Sequence, residues 1–86
     1  MDAFTAQYRA VVATAQLAAA LPDVAFTTRV LTEHVSGQRE WIVTIRWMDG
    51  PDPATVRWIL DGPPPGVHLL RHVSVPEYES DPRDRG

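Results

Sequence analysis

The chain has no cysteine, no lysine and no apolar run long enough to cross a bilayer. Without cysteine there is neither a disulfide to brace the fold nor a thiolate to hold a metal. All 8 positive charges are therefore arginine, against 11 acids, for a net charge of −3. That balance disfavours a non-specific grip on nucleic acid through total charge, although a local basic face is still open to it. The Ala-rich run from Ala10 to Leu21 is too short to span a membrane, and no basic n-region precedes it. The expected location is the cytoplasm.

What is present describes one domain. A chain of 86 residues buries only about 60–65% of the surface its unfolded form exposes, so its core is modest. A hydrophobic fraction of 44% with 22% charged residues suits a soluble globular domain. Stability has to come from packing, helped by association with a partner chain.

Five elements follow from patterning. Residues 2–21 read as a helix, with Asp2 at its N-terminus and Pro22 as its stop. Phe4, Tyr8, Val11, Val12, Ala15 and Ala19 recur at three- and four-residue spacing and are expected to face the core. The stretch "VAFTTRVLTEHV" (24–35) reads as a strand, and a short loop at Ser36–Arg39 returns a second strand, about 40–48, antiparallel to it. On that second strand Trp41, Val43, Ile45 and Trp47 form the stronger apolar face; Ile42, Thr44, Arg46 and Met48 form the other. Asp49-Gly50-Pro51 is turn chemistry, and Asp52-Pro53 is an N-cap followed by the first residue of a second helix that runs to about Leu60. Val56, Ile59 and Leu60 are its inward residues. Gly62-Pro63-Pro64-Pro65-Gly66 ends it, and "VHLLRHVSV" (67–75) is the third strand, with an edge position or a bulge expected near Arg71. Residues 1–76 form the domain, and the polar residues 77–86 are expected to be a disordered tail.

The order α-β-β-α-β defines an α+β fold of two layers, with both helices on one face of a mainly antiparallel three-stranded sheet. The crossover through the second helix should make the third strand parallel to the second. In the simplest sheet, a split β-α-β arrangement, the first strand lies in the middle. One sheet face then lacks a cover. It carries Leu31, Ile42, Met48 and Leu70 among Thr27, Arg29, Thr44, Arg46, His68 and His72.

Two blocks in this stretch resemble a known family. "AALPDVAFTTRV" followed after a loop by "IVTIRWMDGPDPATVRWIL" is similar to the large polyvalent protein-associated domain, type twenty-nine. Leu21, Pro22, Asp23, Val24 and Phe26 fall in its first block; Arg46, Trp47, Asp49, Gly50, Pro51 and Val56 fall in its second. The resemblance spans about residues 10–60, and beyond it the chain departs into its proline run. It implies a phage or mobile-element origin and no defined reaction.

No catalytic set emerges from the residues. The serines lack a nucleophile-elbow setting, and there is no phosphate loop. Asp49 and Asp52 read as turn and cap residues, because a helix N-terminus lowers a carboxylate pKa and does not favour a general acid. His68 and His72, four apart on a strand, lie about 13 Å from one another, too far to share one ion. No metal, cofactor or enzymatic activity is expected. The expectation is a protein-interaction module, a homodimer or the binder of a larger protein, using Leu31, Ile42, Met48, Leu70 and Trp58, which lies off the inward stripe of its helix. The alternative is a nucleic-acid-binding module using Arg29, Arg46, His68 and His72. A weaker third reading is a small-molecule pocket between the sheet and the second helix.

Overall fold

The computed structural model describes residues 1–74. Within them lie α1 (Ala3–Ala20), β1 (Thr27–Val35), β2 (Gln38–Met48), α2 (Pro53–Ile59) and β3 (Val67–His72). The fold is α+β, with two helices and one mixed three-stranded sheet. The expected tail at 77–86 lies outside the described residues, as do Val75 and Pro76.

Short-range chemistry sets the element boundaries. Asp2 caps α1 by accepting from the Thr5 amide at 2.6 Å, and Asp52 caps α2 by accepting from the Thr55 amide at 2.9 Å. β1 and β2 join through two residues, Ser36 and Gly37, whose φ angles of 54° and 81° make a type I′ turn. The twist of that turn matches paired strands, which is why the hairpin is tighter than the four-residue loop expected. Asp49 and Gly50, at φ 57° and 69°, turn the chain left-handed at the end of β2.

The strand order corrects one expectation. The sheet runs β1-β2-β3, so β2 and not β1 is central. β2 pairs antiparallel with β1 (Leu31 opposite Ile42) and parallel with β3 (Arg46 opposite Leu70). The chain between Met48 and Val67 is long enough for a parallel return beside β2. Placing β3 there leaves β1 as an edge.

The face of α1 is a second correction. Ala6, Ala10, Ala13 and Leu17 meet the sheet, whereas Phe4, Tyr8 and Val11 are exposed at 80%, 60% and 68%. The opposing sheet surface explains this: Val43, Ile45 and Trp47 are buried there, with Trp41 beside them. Bulky residues on the sheet leave room only for small ones on the helix, so the alanine side packs inward at interior density. Val56 and Leu60 of α2 complete the core, with Ile59 partly buried. Phe26 stacks at a tilt on Trp47 with ring centroids 5.5 Å apart, and the Trp47 indole donates to the Pro51 carbonyl at 2.8 Å.

β3 keeps continuous register through Arg71, opposite Trp47, and lies at an edge without a bulge. The Arg71 guanidinium donates to the carbonyls of Asp49 and Gly50 at 3.4 and 3.2 Å. Asp49 accepts from the Ser74 amide (2.9 Å) and hydroxyl (2.7 Å). Those two bonds to Ser74 hold the Asp49 carboxyl below its ordinary value. The turn after β2 and the end of β3 are thereby tied together.

Candidate interaction surface

Both helices pack on the odd-numbered side of β2, so the even-numbered side is the open face. The registers fix what it carries. Thr27 lies opposite Arg46, Arg29 opposite Thr44, Leu31 opposite Ile42 and Glu33 opposite Glu40. On the other side of β2, Thr44 faces His68, Arg46 faces Leu70 and Met48 faces His72. Among the described residues no helix or strand covers this surface.

Burial on the face is uneven, and the central position of β2 explains it. Ile42 and Thr44 are only 8% and 7% exposed although no layer lies over them. Side chains of the flanking strands shield them laterally. Met48, Leu31 and Leu70 remain 61%, 40% and 42% exposed. The apolar residues fall into two groups: Leu31 and Ile42 toward the hairpin, Leu70 and Met48 toward the opposite end. Arg29, Thr44, Arg46 and His68 separate them. Val35, 48% exposed, extends the hairpin group and escaped the sequence reading because it lies next to the turn.

Trp58 does not belong to this surface. It is 82% exposed but stands on α2, on the helical side of the sheet. The five residues expected to act together therefore divide between two sides of the molecule.

The charges are polarised along the strands. Arg29, Arg46 and His72 line, with Thr27 and Met48, an open groove of about 520 Å³ at one end. Arg46 Nη2 and His72 Nε2 are 3.4 Å apart. Toward the hairpin, Glu33, Glu40 and His68 line a second groove of about 330 Å³ with Val35 and Ile42. Glu33 lies 3.9 Å from His68, an ion pair when the imidazole is protonated. Among the described residues neither Arg29 nor Arg46 has an acidic partner within ion-pair distance. One end of the face is basic, and the other carries Glu33 and Glu40, of which Glu40 is already paired with the Met1 ammonium at 3.2 Å.

Between α1 and α2, Arg9, Val12, Ala13, Leu60 and Pro64 line a cleft of only about 50 Å³. Metabolite sites have about 300 Å³ or more, so this cleft is too small to hold one. No helix of the described residues is long and apolar enough to cross a membrane. No family model matches the chain, and neither a curated protein nor a solved structure matches it. The fold and this surface define a small α+β domain with one sheet face left open.

Proposed function

We propose that the protein is a non-catalytic interaction module that associates with a second copy of itself through the open sheet face. The observation that carries this reading is the polarity of that face. A surface with arginines at one end and glutamates at the other complements itself when two copies meet antiparallel about a two-fold axis. Such a pairing brings Arg29 and Arg46 over Glu33 and Glu40 of the second copy. It also withdraws Met48, Leu31 and Leu70 from water, at about 25 cal/mol for each Å² of apolar surface removed. The two-block resemblance adds to this reading an accessory role in a phage or mobile element.

Sedimentation velocity from 5 to 500 µM tests the reading. A concentration-dependent dimer is expected, weakened tenfold or more by Met48→Glu or Leu70→Glu. A dimer indifferent to both substitutions would sink it.

The second reading is nucleic-acid binding, favoured by the groove that Arg29, Arg46 and His72 line together. Its affinity would fall steeply with salt, because each phosphate neutralised releases a counterion. A blank gel shift with single- and double-stranded DNA at low salt removes it.

A further inference from the structure

We propose that the free edge of β1 pairs with the same edge of a second copy, antiparallel and centred on Leu31, with the two α1 helices side by side above the junction. This contact uses the β1 edge and the α1 flank, which the open face does not include, although it shares Arg29 and Glu33 with the reading given for that face.

The backbone directions come first. The Val43 amide donates to the Gly66 carbonyl at 2.8 Å and the Asp49 amide to the His72 carbonyl at 2.6 Å. Odd residues of β2 thus address β3, and even ones address β1. By the register, Arg29, Leu31 and Glu33 turn their peptide groups toward β2. Thr28, Val30, Thr32 and His34 turn theirs outward, where β1 has no neighbouring strand among the described residues. Natural edge strands are usually protected by proline, charged side chains, a bulge or shortness. β1 is 9 residues long, unbulged and free of proline, and its charges, Arg29 and Glu33, are of opposite sign.

Register then selects the occupant. Outward groups must face outward groups, so even residues pair with even ones. Centring on Leu31 sets Val30 opposite Thr32 and Thr28 opposite His34 of the other copy. The same register places Arg29 opposite Glu33 twice, in the close non-hydrogen-bonded pairs where cross-strand charges interact best. Within one chain Glu33 faces Glu40, whose carboxylate the Met1 ammonium already pairs at 3.2 Å, so the incoming arginine is matched to Glu33. Leu31 meets Leu31, extending an apolar row with Ile42 at each end. The β3 edge offers no such match: it is 6 residues long and has histidines and an arginine but no acid.

The helical side supplies an independent observation. Ala10, Val11, Thr14, Ala15, Ala18 and Thr28 line a cleft of about 410 Å³ where α1 overhangs β1. Phe4, seven residues before Val11, continues that flank, and both are mostly exposed. Antiparallel strands of one sheet are related by a two-fold axis perpendicular to it, so both α1 helices lie on the same side. Each fills the other's cleft, and the open faces merge into one six-stranded surface.

Sedimentation of the full chain is the test, with circular dichroism to confirm folding. Thr32→Pro removes only an outward-facing amide, and Val11→Glu charges an exposed helix position; each is expected to weaken the dimer tenfold or more. Glu33→Arg alone does the same by facing Arg29 of the other copy. Arg29→Glu combined with Glu33→Arg restores the wild-type affinity, because the pair is re-formed with its signs exchanged. If Thr32→Pro does not fold, Val11→Glu decides, because the charge-reversal series would respond in the same way for a dimer through the open face. A monomer at 500 µM, or a double variant no tighter than the single one, overturns the proposal. So does a dimer that resists Val11→Glu. Loss of the dimer with Met48→Glu but not with Val11→Glu would retain the face reading and reject this one.

Discussion

Replacing Leu17 by alanine should cost far more than replacing Phe4, although Phe4 is the larger and more apolar side chain. Leu17 is 1% exposed between α1 and the sheet, and Phe4 is 80% exposed. Truncating Leu17 removes about three methylene equivalents from the core, at roughly 0.8 kcal/mol each. The cavity left behind adds to this, for a total of about 3 kcal/mol. In a domain of this size 1 kcal/mol moves the melting temperature by about 4–8 °C. Leu17→Ala should therefore lower it by roughly 12–24 °C, a large fraction of total stability. Phe4→Ala should stay within about 0.5 kcal/mol, as surface substitutions do. Thermal unfolding followed by circular dichroism at a few micromolar, where self-association contributes little, measures both. Equal losses for the two variants would mean that α1 presents its aromatic stripe to the sheet, and the packing described here would be wrong.

Overpacking the same interface should also be costly: Ala6→Leu, at a fully buried position, should lose about 1–3 kcal/mol in urea titration. In the hairpin, Gly37→Ala should destabilise by about 1 kcal/mol, because the residue sits at φ 81° although its surroundings are open. Ser36→Asn should stabilise slightly, since asparagine accepts φ near 54° more readily. Acid should weaken the fold through Asp2, Asp49 and Asp52, all held below the ordinary value of 3.8 by hydrogen bonds from Thr5, Ser74 and Thr55. Their folded pKa values lie below the unfolded ones, so their contribution is complete above about pH 5 and is lost as pH falls through the unfolded value and the depressed range below it. Urea midpoints between pH 7 and pH 2 should show that fall, and Asp49→Asn combined with Asp52→Asn should flatten it.

Much of this structure was legible in the residues because it depends on neighbours in sequence. Asp52-Pro53 specifies a cap and first turn wherever it occurs, and Asp49-Gly50 a left-handed reversal. The alternation Trp41, Val43, Ile45, Trp47 assigned the inward side of β2, and the registers gather Leu31, Ile42, Met48 and Leu70 on the other. Strand order was harder, because hairpin and crossover rules allow β3 on either side of the pair. A clue was present in β2 itself: apolar residues on both parities belong to a strand shielded by neighbours at each edge, which is where Ile42 becomes buried. The inward side of α1 was misread because hydrophobicity alone ranks phenylalanine above alanine. Fit against two tryptophans reverses that order. Trp58 could have been separated from the open face in the sequence itself, because a two-layer order with both helices on one side puts every residue of α2 on the covered side.

The two-residue reversal at Ser36-Gly37 also bears on how the chain reaches this state. It joins strands that are adjacent in sequence, so β1 and β2 meet on the microsecond scale of hairpin closure. The ladder between Val43 and Val67 must instead close a long loop before any contact repays the lost chain entropy. The hairpin thus acts as a template that the third strand joins late. Lesions at Gly37 should slow refolding, whereas lesions at Leu69 should mainly hasten unfolding.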